Sequence, residues 1–180
     1  AEGTKDYVLK SGFSKVILGL SGGVDSALVA TLAVDAFGPD NVTCVRLPSQ
    51  FSSEGSLNDA DKLTKKLGCQ TKTIPISKLH KTVLDLLSTE FQNTNQDITE
   101  ENLQSRIRGL LLMALSNKFG SMLLTTGNKS EVAVGYSTIY GDMCGGYNPI
   151  KDLYKTKLYS LCRWRNARKE SWMKGPNGAV

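Results

Sequence analysis

The segment KVILGLSGGVDSALVATLAVDAF, residues 15–37, decides the fold class. KVILGL (15–20) is an unbroken apolar run, which is typical of a strand buried on both faces. SALVATLAVDAF (26–37) has helical periodicity, and the Gly38-Pro39 pair that follows it is a helix stop. The segment therefore predicts a buried strand, a tight glycine turn and a helix, which is the opening unit of an α/β protein.

The same alternation continues to the end of the chain. Strands are predicted at 15–20, 41–47, 70–76 and 121–126, and helices at 26–37, 56–68, 77–91, 99–120 and 155–168. Thr99 is the expected N-cap of the long fourth helix, and 127–149 is expected to be glycine-rich and irregular. The order predicts a doubly wound, mainly parallel sheet with helices on both faces, and ligands beyond the carboxyl ends of the strands, at 21–26, 46–54 and 126–149.

Length and composition predict one soluble domain over residues 1–180. No apolar run reaches the roughly 18 residues of a membrane span, and the first ten residues lack the apolar centre of a signal peptide. The four cysteines are far apart without a C-x-x-C pair, which argues against zinc and against a disulfide framework. We expect a cytoplasmic protein with reduced, partly buried thiols.

The net charge of +5 is unevenly distributed. Residues 151–180 contain eight basic and two acidic side chains, so the rest of the chain is close to neutral. A local basic excess suits the phosphates of a small ligand, or a solvated helix face, at least as well as a polynucleotide.

The turn SGGVDS (21–26) carries the sharpest chemical signal. Adjacent glycines let the backbone approach an anion, and the following helix adds its positive end. The G-x-x-x-x-G-K-[ST] spacing of the common phosphate loop is missing, so we expect amides and hydroxyls to hold a whole pyrophosphate. Asp25 would repel phosphate without a cation between them, which indicates Mg²⁺. The plainer alternative is a capped strand-to-helix turn.

The segment TTGNKSEVAVGYSTIYGDMCGGYNPIKDLYKTK (125–157) combines glycines with charged side chains, as a closing active-site loop requires. A long solvated loop is the alternative interpretation. Arg106 and Arg108 are two positions apart on a helix and should face different ways. His80, between lysines on an amphipathic helix, is expected at the surface, which argues against a Ser-His-Asp hydrolase.

Taken together, SGGVDS, NLQSRIRG (102–109) and TTGNKSEVAVGYSTIYGDMCGG (125–146) resemble NAD synthetases of the ATP pyrophosphatase superfamily, in their long, glutamine-dependent form. The likeness runs from about Asp6 to about Arg168. SGGVDS alone is shared with GMP synthetase, asparagine and argininosuccinate synthetases and tRNA-thiolating enzymes.

The resemblance implies roles for matching positions. For ATP these are Gly19, Leu20, Ser21, Gly22, Gly23, Val24, Asp25, Ser26, Arg46, Thr126 and Lys155. For the dinucleotide substrate, deamido-NAD, they are Asn102, Arg106, Glu131, Tyr136 and Asp142. Asp25 and Glu131 would hold Mg²⁺, and Asp142 and Lys155 are the implied catalytic residues.

The implied reaction joins the nicotinate carboxylate of deamido-NAD to AMP, releases pyrophosphate, and then amidates the acyl adenylate with ammonia from glutamine. Ile139 stands where the short, ammonia-dependent form has a lysine. The long form's glutaminase domain is absent here, and family chains continue past Val180, so a truncated piece is expected. Family subunits also pair, and the apolar row at 110–115 suits either a dimer contact or core packing.

Two rival interpretations stay open. Another enzyme with the same phosphate loop, such as GMP synthetase, would adenylate a different acceptor. A tRNA-modifying or RNA-binding domain could instead use the basic C-terminal helix, with Trp164 and Trp172 beside it, although that region lacks an aromatic stacking stripe.

Overall fold

The computed structural model describes residues 1–178 and has a four-stranded parallel sheet at its centre. The strands are β1 Val16–Gly19, β2 Val42–Arg46, β3 Gln70–Thr73 and β4 Met122–Leu124. The helices are α1 Glu2–Lys10, α2 Val24–Phe37, α3 Glu54–Leu67, α4 Ser77–Leu87, α5 Ile98–Phe119, α6 Lys129–Ala133 and α7 Lys155–Ala167, with a 3₁₀ turn at Pro39–Asn41.

Alternating side chains of the strands form two cores, one on each face of the sheet. Val16 and Leu18 of β1 point to a core shared with α1, α2, α3 and α7. Ile17, between them, points to a second core, whose other members come largely from α4 and α5. Helices on both faces of a parallel sheet confirm the predicted doubly wound α/β fold.

The strand order β3-β2-β1-β4 places a change of direction at β1. The chain moves from β1 outward to β2 and β3, and then returns to the other side of β1 with β4. The loops that follow β1 and β4 therefore leave from neighbouring strands at the carboxyl edge of the sheet, the edge where ligands bind in folds of this class. The predicted phosphate loop, residues 21–26, lies at this switch point.

Three local predictions need correction. The long helix α5 is capped by Asp97, whose Oδ1 accepts the Thr99 N–H at 2.7 Å, rather than by Thr99. Glu100 completes the cap by accepting the Asp97 N–H at 2.9 Å, and this Asp-x-x-Glu pattern was readable from the sequence. Helix α4 ends at Leu87, four residues before the predicted end at 91. The segment 127–149, predicted to be irregular, contains α6. Helix α1 was not predicted.

His80 is buried, with 7% exposure, so its predicted surface position was wrong. Its Nε2 lies 3.1 Å from the Glu100 carbonyl oxygen, where α4 packs against α5. The expected burial of the cysteines is confirmed, since Cys44 is buried and Cys69, Cys144 and Cys162 are partly buried. Cys44 Sγ lies 3.7 Å from Cys69 Sγ, and both are free thiols. No helix among residues 1–178 is long and apolar enough to cross a membrane.

Candidate active site

The loop between β1 and α2 is shaped by its glycines and two serines. Gly22 has φ +87°, and a Cβ there would lie 2.3 Å from the Ser56 carbonyl oxygen of α3, so only glycine fits. The Ser26 hydroxyl donates to the Gly23 carbonyl at 3.0 Å, and the Gly23 N–H donates to Ser21 Oγ at 3.2 Å. The two hydroxyls therefore brace the loop itself, a role the sequence analysis had not given them.

The start of α2 lacks a side-chain cap. Gly23 is its N-cap, in an extended conformation, and no side chain within residues 1–178 caps the first N–H groups of the helix. Uncapped N–H groups at a helix start, together with the helix dipole, favour an anion. The adjacent hydroxyls of Ser21 and Ser26, 3.1 Å apart, add polar groups at the same place.

A charged cluster next to this loop joins α2, α6 and α7. Lys155 Nζ donates to Asp25 Oδ2 and lies 3.8 Å from Glu131 Oε1. Asn128 is fully buried; its Nδ2 donates to Asp25 Oδ1 at 2.7 Å and its Oδ1 caps α6 by accepting the Glu131 N–H at 3.0 Å. Asn128 thus fixes both carboxylates, and it escaped the sequence analysis although Asn-x-x-Glu is a capping-box pattern.

Lys155 keeps its positive charge at neutral pH in the cluster with Asp25 and Glu131. Burial lowers the pKa of its ammonium, but the hydrogen bond to Asp25 and the charges of Asp25 and Glu131 raise the pKa above its ordinary value overall. The positive charge is therefore fully present at neutral pH, because the group deprotonates only above its ordinary range.

The donor set suits Mg²⁺. The carboxylates of Asp25 and Glu131 converge on one cation, the Lys155 ammonium, so the fold already brings two hard oxygen donors to one positive centre. Magnesium is commonly held by one or two carboxylates together with substrate phosphates. Within residues 1–178 no cluster of three or more His, Cys, Asp and Glu ligands occurs, so the phosphates would have to complete the shell.

A cleft of about 1140 Å³ lies over the carboxyl edge of the sheet. It brings together most of the residues singled out from the sequence, namely Gly19, Leu20, Ser21, Asp25, Ser26, Arg46, Asn102, Thr126, Glu131, Tyr136 and Asp142. Gly22, Gly23, Val24 and Lys155 are not among the described residues that line the cleft, although Lys155 donates to Asp25, which does line it. Arg106 is exposed and does not line the cleft; its Nε donates to the Ile139 carbonyl at 3.3 Å.

Residues 136–142 are tied to α5 along the cleft. Thr138 Oγ1 donates to Asn102 Oδ1 at 2.9 Å, and the Thr138 N–H donates to Asp142 Oδ1 at 2.9 Å. The Asp142 N–H in turn donates to Ser105 Oγ at 3.0 Å. Asn102 and Asp142 therefore organise this segment, while the Tyr136 side chain is 74% exposed beside it.

Arg46, at the end of β2, already has protein partners. Its guanidinium pairs with Asp61 of α3, and its Nε donates to Thr73 Oγ1 at 3.0 Å. A nucleotide would meet a cation whose charge Asp61 largely offsets.

The fold and the cleft together define the class of protein. A parallel sheet whose first strand leads through a serine-glycine loop into a helix without a side-chain cap, with a carboxylate-lysine cluster alongside, is an α/β domain of the ATP pyrophosphatase type. The family model described as NAD synthase matches residues 1–179. The chain belongs to the NAD synthase family.

Similar proteins agree with this assignment. The chain is 60% identical to the glutamine-dependent NAD(+) synthetase of Rhodobacter capsulatus over 178 residues, which are 99% of this chain and 32% of that protein. A solved glutamine-dependent NAD+ synthetase from Acinetobacter baumannii, in complex with ADP, superposes with TM-score 0.90 at 48% identity, over 93% of this chain and 32% of its own. The chain spans about a third of these relatives.

A shorter relative is also similar. The NH3-dependent NAD synthetase from Campylobacter jejuni has TM-score 0.81 and 39% identity, over 92% of this chain and 69% of its own.

Proposed function

We propose that the chain belongs to the ATP-using synthetase domain of a glutamine-dependent NAD synthetase, and that residues 1–180 are part of this one domain. It would amidate deamido-NAD to NAD, with ammonia released from glutamine by a glutaminase part outside these 180 residues. The observation that carries the proposal is the Asp25–Lys155–Glu131 cluster beside the uncapped helix start, in a chain of this family.

The chemistry needs a carboxylate made reactive toward ammonia. A nicotinate carboxylate oxygen would attack the ATP α-phosphorus, and the bond to pyrophosphate would break. Ammonia would then attack the acyl carbon, and AMP would leave with the bonding electrons. Loop amides from Ser21 to Asp25 would bind the pyrophosphate, and Lys155 would offset negative charge on the phosphates.

The remaining assignments divide the cleft between two ligands. Gly19, Leu20, Arg46 and Thr126 would contact ATP at the strand ends, while Asn102, Tyr136 and Asp142 would contact deamido-NAD beside α5. Arg106 does not line the cleft, so it would contact only a part of deamido-NAD that extends beyond the cleft. Asp25 and Glu131 would hold Mg²⁺, which when bound supplies positive charge to the leaving pyrophosphate.

Two further proposals follow from the family. We place the reaction in the cytoplasm, where ATP is available, and expect a homodimer whose contact includes α5. In support, Leu111, Leu112, Met113 and Leu115 pack into the second core, but Leu110 on the same helix is 63% exposed. Sedimentation of the wild type and Leu110→Glu would test the dimer, since a charge in the contact should give a monomer.

Calorimetric titration with ATP tests the proposal, because one substitution should weaken ATP binding in Mg²⁺ but not in its absence. In Mg²⁺, Asp25→Asn should weaken ATP binding by about tenfold or more, because a cation ligand is lost. With EDTA the same variant should bind ATP as well as or better than the wild type, because the carboxylate then repels phosphate. Asp40→Asn removes an exposed carboxylate elsewhere and should match the wild type in both buffers.

The identity of the substrate that accepts AMP from ATP is tested by measuring pyrophosphate release. Deamido-NAD with ammonia should stimulate release, and XMP should not. Release with XMP alone would favour the GMP synthetase alternative, and salt-sensitive tRNA binding without ATP binding would favour an RNA-binding domain.

A further inference from the structure

The cations around the cleft differ in how their charge is balanced. Arg46 pairs with Asp61, and Lys155 pairs with Asp25 and Glu131. Lys129 and Lys151 also line the cleft, but both are exposed, so water solvates them. None of these four is a buried charge without compensation.

Arg108 differs from all of them. It lines the cleft from α5 and is only partly exposed, and no carboxylate of the described chain forms an ion pair with it. Its Nε donates to the Leu47 carbonyl at 3.1 Å, and the two terminal nitrogens have no protein acceptor within residues 1–178. Burial lowers the pKa of the Arg108 guanidinium, yet arginine stays charged at neutral pH.

The guanidinium of Arg108 lies at the same edge of the sheet as the predicted phosphate loop, residues 21–26. Leu47 directly follows β2, so the hydrogen bond fixes the guanidinium at the carboxyl edge of the sheet. One turn further along α5, Leu112 lies so close to β1 that a Cβ on Gly19 would be 3.1 Å from its Cδ1. Arg108 therefore faces the crevice between the first two strands, next to the start of the phosphate loop.

The acidic residues nearby do not neutralise Arg108. Glu101 lines the same cleft and, with Asp97 and Glu100, a smaller pocket that Arg108 also lines, but within residues 1–178 none of these three carboxylates forms an ion pair with it. Glu101 is seven positions before Arg108 on α5, which is a rise of about 10.5 Å along the helix axis. A partly desolvated cation without a counterion is costly, and a ligand anion would recover that cost. Guanidinium groups match phosphate oxygens with two parallel hydrogen bonds.

We infer that Arg108 is a binding residue for a phosphate group of a bound nucleotide, through its two terminal nitrogens. The inference rests on the proposed function and adds to it a site residue that the sequence resemblance had not indicated. The phosphate belongs either to ATP or to the dinucleotide substrate, since both would lie in this cleft.

Titration of the 180-residue chain tests the inference with ATP, deamido-NAD and adenosine as separate ligands. Arg108→Gln should bind ATP, deamido-NAD or both about 10- to 100-fold more weakly, which is the usual range for losing hydrogen bonds to a charged group. Adenosine, which has no phosphate, should bind within twofold of the wild type. Arg108→Lys should recover part of the loss, because it restores charge without the paired donors.

Two further variants control for folding and for long-range charge. Arg108→Met keeps much of the side-chain packing and replaces Arg108→Gln if that variant does not fold. Lys118→Gln removes an exposed positive charge from the same helix, ten residues away, and should change no affinity by more than twofold.

The outcomes separate this inference from the proposed function. Loss with ATP alone assigns the ATP phosphates, and loss with deamido-NAD alone assigns the dinucleotide; either supports the inference. Arg108 is not a phosphate ligand if its folded variants bind both nucleotides within twofold of the wild type. The same conclusion follows if their affinity for adenosine falls as much as their affinity for the nucleotides. In either case the proposed function stands. A wild type that binds neither nucleotide would overturn both.

Discussion

The buried ion pair between Asp35 of α2 and Arg165 of α7 should make the fold highly sensitive to the loss of either partner alone. Both side chains are only 4% exposed, and the pair is bidentate, with Nε–Oδ2 at 2.6 Å and Nη2–Oδ1 at 2.9 Å. Arg165 Nη2 also donates to the Pro176 carbonyl at 2.9 Å, which holds the C-terminal segment against the two helices.

Asp35→Ala would leave the Arg165 charge buried with only carbonyl partners. Breaking one side of a buried pair costs about 3–5 kcal/mol, which for a chain of this size is a fall in Tm of about 6–20 °C. Replacing both residues, as in Asp35→Leu with Arg165→Met, removes the uncompensated charge and should cost much less than the two single changes added together.

Urea unfolding followed by circular dichroism measures these differences. Asp59→Ala is the matched control, since the Asp59–Lys62 pair is 3.7 Å apart with both side chains largely exposed, and it should change stability by less than about 1 kcal/mol. A cost for Asp35→Ala no greater than that of the control, or fully additive costs in the double variant, would refute the reasoning.

Two further outcomes are expected. Gly22→Ala should destabilise the protein by about 1–3 kcal/mol more than Gly12→Ala in urea unfolding. Both glycines have positive φ, but only at Gly22 would a Cβ contact backbone, at Ser56. Equal losses of stability would show that the Ser56 contact relaxes. Asp97→Ala should lower Tm at pH 7 by more than Thr99→Ala, because Thr99→Ala removes the side-chain hydrogen bond to Asp97 but keeps the bond from the Thr99 N–H. The hydrogen bonds from Thr99 lower the pKa of Asp97, so this cap stabilises the fold above the ordinary carboxyl value near 3.8 and is lost as pH falls through the lowered pKa. The Tm gap between wild type and Asp97→Ala should therefore close in strong acid, and a constant gap would contradict the cap assignment.

Much of the site was predictable because it is built from local pattern. The loop 21–26 is recognisable from a buried apolar run, two glycines and a helical period, all within 23 residues. The parallel topology then brings loops 46–54 and 126–149 to the same edge of the sheet, since every strand ends there.

Other features depend on which surfaces meet, and sequence spacing does not carry that information. Asp25 and Lys155 are 130 residues apart, as are Asp35 and Arg165, and only the packing of α7 alongside α2 brings each pair together. Similarly, two arginines at i and i+2 must face different ways, but the contact of α5 with β1 and β2 decides that Arg108 faces the cleft and Arg106 does not.

The sequence by itself determined the order of the four strands and of the five longer helices from α2 to α7, the α/β class and the glycine loop 21–26, because hydrophobic period and glycine conformation act over a few residues. Only the tertiary structure decided that His80 is buried, that Asn128 holds two carboxylates and that Arg108 has no counterion within residues 1–178. Burial and charge compensation are properties of the neighbours that folding supplies, and those neighbours come from distant parts of the chain.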